Sequence, residues 1–250
     1  MNWDWEAFFQ YLFSPYLLRG AWVTIWLTIA SMAIGLLLGF ITALMRMSSN
    51  PVLNGIARFY TWLWRGTPLL VQLIIIFTGL PQLGIKLTVV QSALIGLGVN
   101  EGAYISEIIR AGIQSVSKGQ FDAARAVGMD FPTMMRVVVL PQAARVIIPP
   151  LGNNFNGLLK TSSLASVISM EELLRRSQML IQIRFKVLEI FIVVAIYYLI
   201  LTTIWGFVQR YLEAHFGRAY VAQTSVKQKG LVTSESEAEI EKTLLEHDAR

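Results

Sequence analysis

The chain has no cysteine, only two histidines, and charged residues at just 15% of its 250 positions. Without cysteine there is no disulfide scaffold and no thiolate to bind metal or attack a substrate. His215 and His247 fall at or beyond the last apolar stretch, so no nucleophile-and-base pair and no metal-ligand spacing can be built on them. Charge this far below the usual quarter or so of a soluble domain, with 54% hydrophobic residues and a mean hydropathy of +0.54, also excludes a collagenous or wholly disordered chain. A membrane protein is what remains.

Long gaps between charges mark five apolar stretches, each near the roughly 20 residues that cross a hydrocarbon core. Residues 20–45 and 66–85 carry no charge at all. A third stretch, from about Leu87 to Ile109, includes Glu101 and Glu107, and a fifth, 190–209, is uncharged. The fourth, about Met135 to Leu159, is interrupted by Pro141, Arg145, Pro149 and Pro150. Those prolines predict a kinked helix inside a bundle, where neighbours satisfy the carbonyls that proline frees. The first stretch is too long for the apolar region of a signal peptide and follows Asp4 and Glu6 where basic residues would be expected, so it reads as a mature span. The expected fold is an all-α integral membrane protein with about five transmembrane helices.

The net charge of +5 and pI near 9.6 fit either nucleic acid or a membrane, and the placement of the charges decides. With the N-terminus outside, the inner segments 46–65, 110–145 and 210–250 hold three, five and six basic residues, fourteen of the 21. Five of the other seven lie between Lys160 and Lys186, a segment long enough to have structure of its own, so the short outer loops keep only Arg19 and Lys86. The positive-inside rule then favours N-out, C-in. Trp3, Trp5, Phe8, Phe9, Tyr11 and Phe13 suit an interfacial segment over 1–14, ahead of a transmembrane domain over 15–212. Residues 213–250, rich in glutamate, read as a disordered cytoplasmic tail, or as a short charged helix over 235–246.

A polar loop at about 113–134 separates the third and fourth stretches, and Gly119 to Pro141 reads GQFDAARAVGMDFPTMMRVVVLP. The pattern predicts a short alanine-bearing helix over 121–127 with Asp122 in its first turn, ended by Gly128 in a left-handed conformation. Small side chains let such a helix lie in a partner's groove, and an ordinary amphipathic loop helix is the alternative. Ala123, Ala124, Gly128, Met129 and Thr133 also imitate a helix-turn-helix, but a span on each side leaves no independent unit to present it to DNA. No nucleic acid is expected.

This loop resembles the EAA loop of the membrane subunits of type I ATP-binding-cassette (ABC) importers. Asp122, Ala123, Ala124, Gly128, Val138, Leu140 and Pro141 stand at the family's spacing, Asp122 replacing the usual Glu and Val138 the usual Ile. The strings RGTPLLVQ (65–72), AYISEIIRAG (103–112) and LLKTSSL (158–164) are similar to the polar amino acid permease branch, and the resemblance covers about residues 15–212. It implies the type I permease fold in a bacterial inner membrane and a chain that is not itself an enzyme and holds no cofactor. It further implies a coupling helix, with Gly119, Asp122, Ala123, Ala124 and Gly128, docked on a cytoplasmic ATPase dimer that binds ATP and magnesium. A second permease subunit, the same or homologous, and an extracytoplasmic amino-acid-binding protein complete the expected assembly. The alternatives are an ion-coupled secondary transporter or channel acting through Glu101 and Glu107, which has no use for such a loop, and a membrane anchor, which needs no polar interior.

Ionisable groups within a span cost about 2.5–3.5 kcal/mol on insertion scales, so they face the bundle interior or a wet cavity. Glu101, beside Asn100, either meets the amino group of a substrate or is a hydrogen-bonded packing residue near the outer interface. Lys160, Thr161 and Ser162 either line a path of unwound backbone, or are a snorkelling lysine with serines capping a following helix. Asn153 and Asn154 add polarity to the fourth stretch. Glu107 and Arg110, three apart, predict a structural ion pair. Gly35 with Gly39, and Gly98 with Gly102, predict close helix packing. Gly152 and Gly157 have the spacing of a phosphate loop, but lysine stands at 160 rather than 158 and no strand precedes them, so that motif is absent.

Overall fold

The computed structural model describes residues 3–216, which fold into helices and turns with no strand. Helix α1 (Trp5–Leu12) starts where the Asp4 carboxylate accepts the Ala7 amide at 3.0 Å. It buries Ala7 and Tyr11 and leaves Trp5, Phe9 and Phe13 exposed. Then follow α2 (Pro15–Met47), α3 (Pro51–Gly66), α4 (Leu69–Ile74, extended by a π turn and a 3-10 turn to Leu83) and α5 (Val89–Gln114). Short helices α6 (Lys118–Ala126) and α7 (Phe131–Met134) lead through a π turn into α8 (Leu140–Thr161), and α9 (Leu173–Arg184) and α10 (Val187–Phe216) complete the described chain.

Three runs are long and apolar enough to cross a membrane alone: α2, Phe131–Ile168 and α10; the bent pair α3 and Leu69–Leu83 makes a fourth. Helix α5 has the length for a further crossing, since its 26 residues rise about 39 Å, but it carries Asn100, Glu101, Glu107 and Arg110 and does not pass on apolarity. Its polarity is tolerated because the helix is the centre of the bundle, with fourteen residues buried.

Helix directions alternate, as the five expected crossings require. α2 and α5 run parallel and interlock through the glycines. A Cβ at Gly35 would lie 2.8 Å from the Glu101 Cβ, at Gly39 2.6 Å from Ile105, and at Gly98 2.6 Å from Ile34. α4 opposes α5, with Gln72 at Asn100 and Leu73 under Gly96. α8 opposes α5 too, with Ile147 against Gly112 and Asn154 at Glu101. α10 follows α2: the Tyr197 hydroxyl donates to the Leu12 carbonyl at 2.8 Å near one end, and Trp205 and Leu212 flank the same gap as Met32 and Leu36 further along.

Several expectations change. The second stretch is no straight span over 66–85: the chain turns by 102° between α3 and Leu69–Leu83. Pro68 lacks an amide hydrogen and forces Thr67 into an extended conformation (φ −119°, ψ 147°), which ends α3. Around Pro149 and Pro150 the backbone stays helical, so the prolines expected to kink the fourth stretch do not unwind it. Lys160 and Thr161 are still helical, and Ser162–Ile168 tightens into a 3-10 helix where unwound backbone was one of the two expectations. The cap of the following helix is Glu172, whose carboxylate accepts from Leu174 and Arg175 amides at 2.9 and 2.7 Å; neither serine caps it. The loop helix begins three residues early, at Lys118, so Asp122 lies in its second turn. The tail predicted from 213 starts later, because 213–216 continue α10 as helix; the rest of it, from 217 onward, lies outside the described residues.

Candidate functional site

The break between α3 and α4 has a polar repair that places the rest of the site. Ending α3 frees its last carbonyls, and in hydrocarbon an unpaired carbonyl costs several kcal/mol. The Gln72 amide nitrogen donates to the carbonyls of Trp64 (2.9 Å) and Thr67 (3.1 Å) and to the Thr67 hydroxyl (2.8 Å). Asn100 donates to the same Trp64 carbonyl at 3.0 Å and to the Gln72 amide oxygen at 2.9 Å. Both amide hydrogens of Asn100 are thus committed to the joint between α3, α4 and α5.

Beside this joint lies a cavity of about 490 Å³ bounded by residues 65–69, α5 and α8. That volume suits a small solute with its polar anchors. Glu101 is 7% exposed at the middle of α5 and accepts a hydrogen bond from Asn154 on α8. It is thus both packed against α2 and part of the cavity wall, halfway along α5 and away from either end of the helix. Thr161 lines the wall one turn beyond Gly157. Of the residues singled out in the sequence, Asn100, Glu101, Asn154 and Thr161 meet here.

Asn153, Lys160 and Ser162 do not. Asn153 accepts from Gln209 of α10 at 3.0 Å. Ser162 is fully buried and donates to the Leu159 carbonyl at 3.0 Å. Lys160 opens on a second cavity of about 380 Å³ between α8, α9 and α10, with Ser163 and Tyr198. Helical rotation explains the split: 153 and 154 differ by about 100° around α8, so only one can face α5. Arg65 and Tyr104 also line the first cavity, and the sequence reading placed them in the strings 65–72 and 103–112 without giving either a site role. Arg65 was legible as the border of an apolar stretch and the first residue of the string 65–72; the further signal was its position directly before Gly-Thr-Pro, where a helix must break.

The expected Glu107–Arg110 pair is a larger node. Glu107 Oε1 lies 2.8 Å from Arg46 of α2, and Oε2 lies 2.7 Å from Arg110, while Arg65 of α3 stands at 3.6 Å. One carboxylate thus holds three helices together near the end of the bundle where α2 and α5 finish. Arg65 also lies over the Tyr104 ring, 5.3 Å from its centroid.

At that end sits the loop helix α6. Gly128 adopts φ +80°, its amide donates to the Arg125 carbonyl at 2.9 Å, and the Met129 amide donates to Ala124 at 3.1 Å. These two bonds are the αL helix stop predicted from the sequence. Ala124 is buried in an apolar cluster with Met134, Met135 and Val139, with Phe121 and Met129 packed on it, so α6 rests on α7 and on the π turn that leads into α8. Gly119, Asp122 and Ala123 face outward. Asp122 pairs only loosely with Arg125, at 3.6 Å and well exposed, which adds little stability and leaves the carboxylate available to a partner. Asp130 caps α7; hydrogen bonds from the Thr133 side chain, then from its backbone amide, hold the carboxyl below its usual pKa.

Known proteins share both sequence and fold. The arginine transport system permease protein ArgU of Corynebacterium glutamicum is 42% identical over 240 residues, covering 90% of this chain and 75% of that protein. The L-cystine transport system permease protein TcyB of Bacillus subtilis is 44% identical, covering 86% and 92%. A crystal structure of an amino acid ABC transporter with histidines superposes with a TM-score of 0.80 at 37% identity, covering 86% of this chain and all of that one. The MetNI methionine ABC transporter, at 18% identity and a TM-score of 0.70 over 80% and 96% of the two chains, shares the fold. Residues 35–218 match the family described as the binding-protein-dependent transport system inner membrane component, and the chain belongs to that family.

Proposed function

We propose that this permease subunit imports a polar amino acid, which crosses through the cavity at Glu101, Asn154 and Thr161. The observation that carries this is one acidic and one basic side chain, Glu101 and Arg65, on the wall of a single cavity inside an apolar bundle. Charges of both signs at membrane depth are worth their insertion cost only for a polar cargo, and a zwitterion matches both. Relatives named for arginine, L-cystine and glutamine transport support the class and not one member of it.

The energy comes from a partner. The outward face of α6 is the docking surface for an ATPase dimer, which holds the ATP and magnesium; Gly119, Asp122, Ala123, Ala124 and Gly128 form or shape that surface. A second permease subunit and an extracytoplasmic binding protein complete the importer in a bacterial inner membrane, N-terminus outside and C-terminus inside, as the distribution of basic residues favours. Closure of the ATPase pair pushes α6, and its apolar seat on α7 and the π turn ahead of α8 carries the push along α8 to Asn154. Reconstituted vesicles test this: uptake of radiolabelled arginine, cystine or glutamine should need the ATPase and stop with Gly128→Asp. Uptake without any ATPase, driven by an ion gradient, would sink it.

A further inference from the structure

Glu101, Tyr104 and Glu107 stand three residues apart and form a stripe along one face of α5, each step rising about 4.5 Å. Arg65 lies over the middle rung, against the Tyr104 ring. Below it, Glu107 is already served: Arg46 holds one oxygen at 2.8 Å, and Arg110 holds the other through two donors at 2.7 and 2.9 Å. Arg65 reaches the same carboxylate only at 3.6 Å, beyond hydrogen-bond distance, and its side chain stays 43% exposed. Above it, the Glu101 carboxylate is engaged with Asn154. Three guanidinium groups thus share the node with a single carboxylate, and counting Glu101 the stripe still carries one positive charge in excess.

We infer that Arg65 is the receptor for the carboxylate of the transported amino acid, and that it exchanges a loose hold on Glu107 for this ligand when the cavity fills. It is the one guanidinium of the three that lines the cavity. A planar fork with five donors matches a carboxylate in two-point contact, and a ring beneath it fixes its plane. The exchange leaves Glu107 satisfied by Arg46 and Arg110, so it strands no buried charge. The backbone allows it: Arg65 is the penultimate residue of α3, and a Cβ on the next residue, Gly66, would meet nothing within 4 Å. Because Arg46 and Arg110 belong to helices that end beside the loop helix, filling the cavity loosens the contact between α3 and the node, so occupancy is sensed at the end where the ATPase docks.

This inference rests on the cavity being the substrate site, and the experiment separates the two. In the complete importer without its binding protein, ligand binding is measured by calorimetry for L-arginine against agmatine, and for L-glutamine against 4-aminobutanamide, each amine lacking only the carboxylate. The wild type should prefer one of the two amino acids over its amine. Arg65→Gln should erase that preference, weakening the amino acid about 10- to 100-fold, the value of a charge-assisted hydrogen-bond pair, with Arg65→Lys recovering part of it. Preference kept in Arg65→Gln, while Asn154→Ala abolishes binding, would overturn the role of Arg65 and leave the cavity standing. Binding indifferent to both substitutions, or no preference in the wild type, would overturn both.

Discussion

The carboxylate of Glu101 accepts a hydrogen bond from the amide nitrogen of Asn154, joining the middles of α5 and α8 across 53 residues of sequence. The bond crosses the cavity wall. The proposed cargo contact at Glu101 is therefore held from α8, the helix that follows the proposed coupling helix along the chain.

Glu101→Leu should reduce uptake at least 10- to 100-fold, since it removes a charge-assisted contact and leaves the Asn154 amide unpaired. Glu101→Gln, which keeps a hydrogen-bonding group without the charge, should retain more activity. Uptake of radiolabelled amino acid at matched amounts of assembled complex is the measurement, and unchanged uptake in Glu101→Leu would remove Glu101 from the pathway.

Close approach of α5 and α8 sets a second test. A Cβ at Gly112 would lie 2.2 Å from Ile147, whereas one at Gly206 on α10 would meet nothing within 4 Å. Gly112→Ala should destabilise the purified protein by about 1–3 kcal/mol, the usual cost of overpacking. Gly206→Ala should be neutral or slightly stabilising, because helix propensity improves without a clash. Thermal unfolding in detergent compares them, and equal melting temperatures would contradict the packing.

At the helix stop, Gly128→Ala meets no clash but must hold φ +80° with a side chain, at a cost of about 1–2 kcal/mol. The end of α6 should fray, measured as faster amide exchange at Gly128 and Met129. Coupling of ATP hydrolysis to uptake should fall more than uptake-independent ATPase activity does.

Away from the spans, Asp4 pairs with Lys186 at 2.8 Å and its backbone amide donates to Glu189 at 3.1 Å, tying α1 to the start of α10. The Ala7 amide first, and then Lys186, lower the Asp4 pKa, so its contribution is present above about pH 4 and lost as the pH falls through the depressed folded value. Lys186 is raised, mainly by its bond to Asp4, so its contribution holds below about pH 10 and fades as the pH climbs through its folded value. Amide exchange in α1 should therefore quicken at both extremes, and Asp4→Asn should abolish the acid limb. Exchange in α1 that stays flat below pH 4 would show that the pair does not hold the helix.

Local chemistry sufficed for much of this protein. Hydrophobic run lengths determined the long apolar helices α2 and α10, glycines four apart determined the α2–α5 seam, and Gly128 determined where the loop helix stops, because each depends on residues adjacent along the chain or one turn away. Spacing along α5 also determined the Glu107–Arg110 contact. It could not show that Arg46 and Arg65 join them, since those arrive from α2 and α3. Only tertiary structure decided that Asn154 and not Asn153 faces Glu101, that Asn100 is committed to mending the α3–α4 break, and that Lys160 opens on a different cavity. These outcomes follow from how helices rotate and dock against one another, and a single sequence records which residues are polar without recording which way the neighbouring helix turns them.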